Sequence, residues 1–289
     1  MKKFKIFIRI EGPTLREGKA DCFPRRRPTV PLTTFKSLRF QFTLKKSAAN
    51  YCTGSGVVKC PDTRVYITSS IPISVIANNY LNKAAGDSFT VMPVTMAGTQ
   101  YAVTVPEPKS RRQSSTVYFV ALEKATTVNL QIVDQKRKTQ TNKTITISAS
   151  AKEITAFRTG SAKYLFASGN ADFLIIVAVQ SLESPSAGKS LDFGAYMPTP
   201  VLSTDCDNTE DYHISMLVSS TDFYAVQPTP QCKCKINVVG GSEYNMSYTV
   251  PSKIHIPFAS YSSNAGFYSR YGIFFRVSFM SLNNYRCVK

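Results

Sequence analysis

An all-β fold of antiparallel, sandwich-like sheets is predicted by three features of this 289-residue chain. Short runs of alternating apolar and polar residues recur along it, the period-2 pattern of half-buried strands. Turn-forming residues separate those runs at close intervals. No segment offers three turns of helical period with caps, so helices are not expected. Hydrophobic residues make up 43% of the chain, enough to build a core rather than a disordered polymer.

In chain order, residues 1–31 read as a basic tail, punctuated by Pro24, Arg25-Arg26-Arg27-Pro28 and Pro31. The β domain is expected over 32–289. Phe35–Leu44 opens it, with Phe40, Phe42 and Leu44 alternating against Arg39, Gln41 and Thr43. Cys52 and Cys60 bracket Thr53-Gly54-Ser55-Gly56, a short loop that a disulfide would close. Ile71, Ile73, Val75 and Ala77 share one face of an extended segment, with Pro72, which has no ladder donor, at a strand start or edge. Asn78–Asp87 supplies turn residues, and Ser88–Val94 and Gln100–Val105 read as the next strands. Pro106–Ser115 gathers prolines, charges and serines, so any division into two similar β subdomains is expected near 106–115. A faint echo of Pro72–Val75 and Met92-Pro93-Val94 in Leu174–Val179 and Tyr196-Met197-Pro198 is what a duplicated unit would leave.

Beyond that boundary, Thr116–Leu122 is apolar on both faces, as in a strand covered on both sides. Val128, Leu130 and Ile132 alternate, Lys136–Asn142 reads as a hairpin connection, and Ile145, Ile147 and Ala149 alternate again. Separate strands are expected at Lys163–Ala167 and Phe173–Gln180, then at His213–Val218, Phe223–Val226 and Cys234–Val239. Gly240-Gly241 is a two-residue hairpin signal leading into Tyr244–Val250. Ile254, Ile256 and Phe258 alternate, as do Ile273, Phe275, Val277 and Phe279.

The pieces Ile67-Thr68-Ser69-Ser70-Ile71-Pro72-Ile73-Ser74-Val75, Met92-Pro93-Val94 and Ala97-Gly98-Thr99-Gln100-Tyr101 resemble the IgG Fc-binding protein N-terminal domain family. The match spans Arg64–Val105, with Met92 and Ala97 standing where that family more often has leucine. What the resemblance implies is a secreted, mucin-associated or adhesive β domain without catalysis, whose partner is an extracellular glycoprotein, mucus or matrix component. Fc binding itself has no residue motif to carry over.

The formal charge of +17 raises a nucleic-acid alternative, a basic intracellular protein bound to DNA or RNA. Its distribution argues otherwise. Residues 1–46 hold 13 Lys/Arg against Glu11, Glu17 and Asp21, a net +10, which leaves +7 for the other 243 residues. A basic, proline-punctuated arm is commonly solvated, so no nucleic-acid partner is expected. Phe173–Val179 is the longest apolar candidate run and is far too short to span a bilayer. Met1-Lys2-Lys3 has the character of an export n-region, but Lys5 and Arg9 break the apolar stretch that should follow, so the true start is expected upstream.

Seven cysteines spread singly through a β-rich chain suit disulfides in an oxidising, extracellular compartment. Cys52, Cys60, Cys206, Cys232, Cys234 and Cys287 are the candidates, and the odd count leaves one thiol over. Asn142-Lys143-Thr144 and Asn245-Met246-Ser247 are candidate glycosylation sequons. Tyr261, Phe267, Tyr268 and Tyr271 crowd around Ser262-Ser263-Asn264-Ala265-Gly266, the composition of an adaptable binding loop as well as of a core.

Catalytic and cofactor patterns are sparse. Gly54-Ser55-Gly56 lacks the spacing of a nucleophile elbow, and no Gly-rich phosphate loop occurs. Cys206 with His213 is the one local pair that an acyl-transfer reading would need; His255 sits on the polar side of an alternating strand. Cys206, His213, Cys232 and Cys234 have zinc-capable side chains, yet disulfides from Cys206 to Cys232 or Cys234 are the plainer account. The oxygens of Asp205–Asp211 lack the ordered spacing of a calcium loop. The expectation is therefore no enzyme, no metal and no cofactor.

Overall fold

The structure is a computed structural model that describes residues 5–11, 18–23, 29–32, 38–43, 52–61, 64–69, 73–82, 85–110, 113–136, 139–149, 153–183, 191–202, 204, 206, 212–216, 221–232, 235–240, 244–256 and 274–278. In chain order the strands are β1 (Lys5–Glu11), β2 (Gly18–Phe23), β3 (Thr29–Leu32), β4 (Leu38–Thr43), β5 (Gly56–Pro61), β6 (Tyr66–Ser69) and β7 (Ser74–Asn82). Next come β8 (Ala85–Thr90), β9 (Gly98–Val105), β10 (Ser115–Ala121), β11 (Thr126–Asp134), β12 (Gln140–Ile147), β13 (Glu153–Thr159) and β14 (Lys163–Glu183). The series closes with β15 (Leu191–Tyr196), β16 (Tyr212–Met216), β17 (Thr221–Ala225), β18 (Lys235–Gly240), β19 (Tyr244–Thr249), β20 (Ser252–Ile256) and β21 (Phe274–Ser278). The fold is all-β with antiparallel sheets, as the alternation predicted.

The main sheet is organised about β14. Its first half, Lys163–Ser168, pairs with β9 on one edge and β11 on the other. β10 takes over one edge from Phe173, and β15 takes over the other from Val177, after the last β9 pair, Phe173 with Gly98. Two strands were expected here; one 21-residue strand serves both. The reason lies at 169–172, where the β9 register shifts between Ser168 and Phe173. Tyr101 bridges that irregularity from β9. Its hydroxyl donates to the Phe173 carbonyl at 2.6 Å and accepts from the Gly98 N–H at 3.3 Å, and its ring packs on Phe173 with centroids 4.9 Å apart. A Cβ on Gly169 would come within 2.7 Å of the Phe173 ring, so glycine is what leaves room for that ring at the irregularity.

Because the spine bends, the sheet curls into a half-barrel and its inward residues meet in one core. Val103, Val117, Phe119, Leu130, Ile147, Leu165 and Ile175 are all essentially inaccessible there. Strand parity accounts for the selection: Val128, Leu130 and Ile132 point in from β11, while Thr127 and Asn129 point out. A smaller cluster on the outer face of β5 and β13, formed by Cys52, Cys60, Ile154 and Ala156, lies under the Cys52–Cys60 loop.

The Pro106–Ser115 segment joins β9 to β10, and both strands feed that one core. It is tied down as well: Ser115 Oγ donates to the Pro106 carbonyl, and the Lys109 N–H donates to the Ser181 carbonyl at 2.8 Å. The basic stretch expected as a free arm contains β1, which pairs with β4 and β7, and β2, which pairs with β3 and β6. Expected boundaries also move. β7 continues to Asn82 and β8 begins at Ala85, so most of the turn expected over Asn78–Asp87 is strand, and Val94 belongs to a single 3-10 turn, Val94–Met96, rather than to a strand. Lys136–Asn142 is not all connection either, since β12 begins at Gln140 and carries Asn142 inside it.

Beyond the main sheet, β16, β21, β18 and β19 form a sheet in that order and β17 pairs with β20. A second core sits here, made of Ile236, Val238, Val250, Ile254, Cys206 and Cys232, with Phe223 and Tyr248 packed against it. No helix among the described residues is long and apolar enough to cross a membrane.

Candidate interaction surface

Both disulfides in the described structure use cysteines singled out from the sequence. Cys52 pairs with Cys60, closing a loop whose Gly54 and Gly56 have φ of 89° and 76°, values that favour glycine. Arg158 on β13 holds the loop by donating from Nη1 to the Gly54 carbonyl at 2.8 Å. Cys206 pairs with Cys232, both sulfurs buried in the second core, so of the two partners open to Cys206 the structure selects Cys232. Cys234 and Cys287 lie outside the described residues, as do Tyr261, Phe267, Tyr268 and Tyr271. His213 and His255 fall on β16 and β20, and most of the acidic run 205–211 is outside the described residues. Among the described residues no three His, Cys, Asp or Glu side chains come together as a metal site.

Several tyrosine hydroxyls are shifted, and the cause is structural. Burial pushes Tyr101, Tyr164 and Tyr196 up to about 12, and raises Tyr118 as well. Tyr101 and Tyr196 spend their hydroxyls on backbone carbonyls, those of Phe173 and Thr104. They brace the core and offer no acid near neutrality.

Two surfaces remain as candidates for contact with other molecules. The first is a pair of loops at the end of β9. The loop 91–97 lies beside 197–202: the Met92 N–H reaches Met197 Sδ at 3.4 Å, and the Val201 N–H donates to the Gln100 carbonyl at 2.8 Å. Pro200 sits so close to Gly98 that a Cβ there would be 2.6 Å from it. Held this way, the loops expose Val94 at 64%, Met96 at 44% and Leu202 at 98%. An isolated exposed apolar residue is ordinary; three on two adjoining, braced loops make this pair a candidate apolar contact site. Sequence reading missed Leu202, because nothing in its local pattern says that its loop is pinned beside the loop at 91–97.

The second surface is the outer face of β12, β11, the first half of β14, and β9. Register sets Thr144, Asn129, Ser168 and Gln100 in one row across four strands. Thr144 Oγ1 donates to Asn129 Oδ1 at 2.8 Å and Gln100 Nε2 donates to Ser168 Oγ at 2.8 Å. Asn142 is cross-strand from Gln131 in the next row, and Thr146 from Thr127 on the other side. These side chains bear amides and hydroxyls and no charge. Asn142, the sequon residue, is exposed on this face; Asn245, on β19, pairs with Val239 across the ladder.

The echo between the two Met-Pro segments also has a spatial counterpart. β8 and β15 lie against each other, with the Ala195 N–H donating to Asp87 Oδ2 at 2.7 Å, so each echoed hairpin meets the other along its second strand. Comparison with protein-family models, with curated proteins and with solved structures returns no match.

Proposed function

We propose that this chain is a non-enzymatic extracellular interaction module, of the kind implied by its resemblance to the IgG Fc-binding protein N-terminal domain, which binds glycoprotein, mucus or matrix components through its loops. The observation that carries the reading is the braced pair of loops presenting Val94, Met96 and Leu202 to solvent. The loop at 92–97 contains the residues of the resemblance, so its contact site and its likeness fall on the same stretch. Two disulfides, each backed by its own apolar cluster, are the construction expected of a protein that lives in an oxidising compartment.

The test is binding of the oxidised full chain to immobilised mucin-type glycoprotein. Leu202→Ser with Val94→Ser is expected to weaken binding roughly tenfold, the loss of about 1.4 kcal/mol of apolar contact, without lowering the melting temperature. Binding untouched by these substitutions would overturn the assignment. So would a dominant affinity for DNA or RNA that collapses with salt, which would return the +17 charge to the centre of the account.

A further inference from the structure

We propose that Asn142 carries an N-linked glycan whose first sugars lie across the uncharged outer face of β12 and β11. The inference rests on the extracellular reading above, because only a chain entering the secretory pathway meets the transferase. In that step Asn142 Nδ2 attacks the anomeric carbon of a lipid-pyrophosphate-linked oligosaccharide. The new C–N bond replaces the sugar–phosphate C–O bond, whose electron pair leaves with the lipid pyrophosphate, and the proton lost from nitrogen passes to a base of the transferase.

Three observations converge on this residue. Asn142 is exposed, and Lys143 and Thr144 complete its sequon. Its Oδ1 already accepts from Gln140 Nε2 at 3.2 Å, so the carbonyl half of the amide is engaged within the strand and Nδ2 is the half left to bear sugar. Its neighbours on the same face suit a sugar chemically: Gln131 directly across the ladder, then Asn129, Thr127 and Ser168, offer neutral donors and acceptors. Beyond Gln131 the same row runs to Phe166 on β14, which is buried, so the face beside Asn142 that is open to sugar is that of β12 and β11, with Ser168 in the adjoining row.

The position also answers an architectural need. β12 ends the main sheet, and β11 is its one ladder partner among the described residues. Near Thr146 that open edge is approached by Lys59 Nζ and Thr155 Oγ1, at 3.5 and 3.4 Å from the carbonyl. Around Asn142 no such cover is present among the described residues. A bulky, hydrated glycan there blocks pairing with another chain, a role that edge strands otherwise give to charge or proline.

The decisive experiment directs the full chain into the secretory pathway of animal cells with an added export leader. Chain recovered from protease-protected vesicles is then mapped by peptide mass after glycosidase treatment. Asn142 is expected to be occupied in most molecules, with one glycan lost in Asn142→Gln. An unmodified Asn142 peptide in that material would overturn the proposal. The leader separates this result from the functional reading, since failure of the native chain to be exported would sink that reading and leave occupancy here unaltered. Packing on the face is tested by endoglycosidase release. Release from the native chain should be several-fold slower than from denatured chain, and Asn129→Ala with Gln131→Ala, which spare the sequon, should restore the faster rate. Equal rates from native and denatured wild-type chain would overturn the packing.

Discussion

The two cores solve the same problem with different means. The core around β14 draws 17 buried residues from six strands, and among the described residues no disulfide passes through it. The core around Ile236 and Ile254 has six buried residues, and two of those are the half-cystines Cys206 and Cys232. A large curled sheet buries enough apolar surface to stand on packing alone, whereas a small cluster needs a cross-link that restricts the unfolded chain. The Cys52–Cys60 bridge repeats the lesson at a smaller scale, closing a short loop over a four-residue cluster.

The sharpest break in this comparison comes from removing the larger cross-link. Cys206→Ala with Cys232→Ala should cost about 3–4 kcal/mol, the loop-closure value for a 26-residue separation. Amide exchange in β18–β20 should accelerate by at least two orders of magnitude, while peptides from β10 and β11 keep their protection. Equal loss of protection in both regions would show that the cores unfold as one. Cys52→Ala with Cys60→Ala, at a separation of 8, should cost less, about 2–3 kcal/mol, and should open β5 before it touches the central strands.

A smaller effect probes how the large core manages without a staple. Gly169→Ala puts a methyl where the Phe173 ring lies, and displacing that ring from Tyr101 should cost about 1–3 kcal/mol by thermal melting. If the melt is unmoved, the bend in β14 is not held by that stack. The mildest test is alkaline titration. Tyr101, Tyr164 and Tyr196 hold their protons more tightly when folded, so their contribution is complete below an unfolded value of 10 and is lost as pH rises toward about 12. Stability should fall across that window, with the main sheet affected and phenolate absorbance rising together with unfolding. Phenolate formation near pH 10 in an intact fold would contradict the burial.

Much of this was legible from residue patterns, and the failures are as physical as the successes. Val128, Leu130 and Ile132 declared their inward face because alternation in a strand with one wet side leaves a readable record. β13 gave no such record. Glu153–Thr159 is buried at nearly every position, so its burial has no period to detect. The short β15 escaped notice as well, its Gly194 being the kind of residue that reads as a turn. The loop pair at 92–97 and 197–202 was legible only in half: the first piece stood out in the sequence, but its partner lies about a hundred residues away and is brought alongside by the β8–β15 contact.

By itself the chain determined the all-β class, the antiparallel style and the Cys52–Cys60 closure, all of which depend on neighbours close in sequence. Alternation and turn chemistry act over a few residues, so they survive without knowledge of the rest of the molecule. The tertiary structure decided that β14 is one bent spine, that Cys206 takes Cys232, and that Asn142 faces a neutral platform. Each of those depends on register between distant strands, where one residue of slip would turn every side chain to the opposite face.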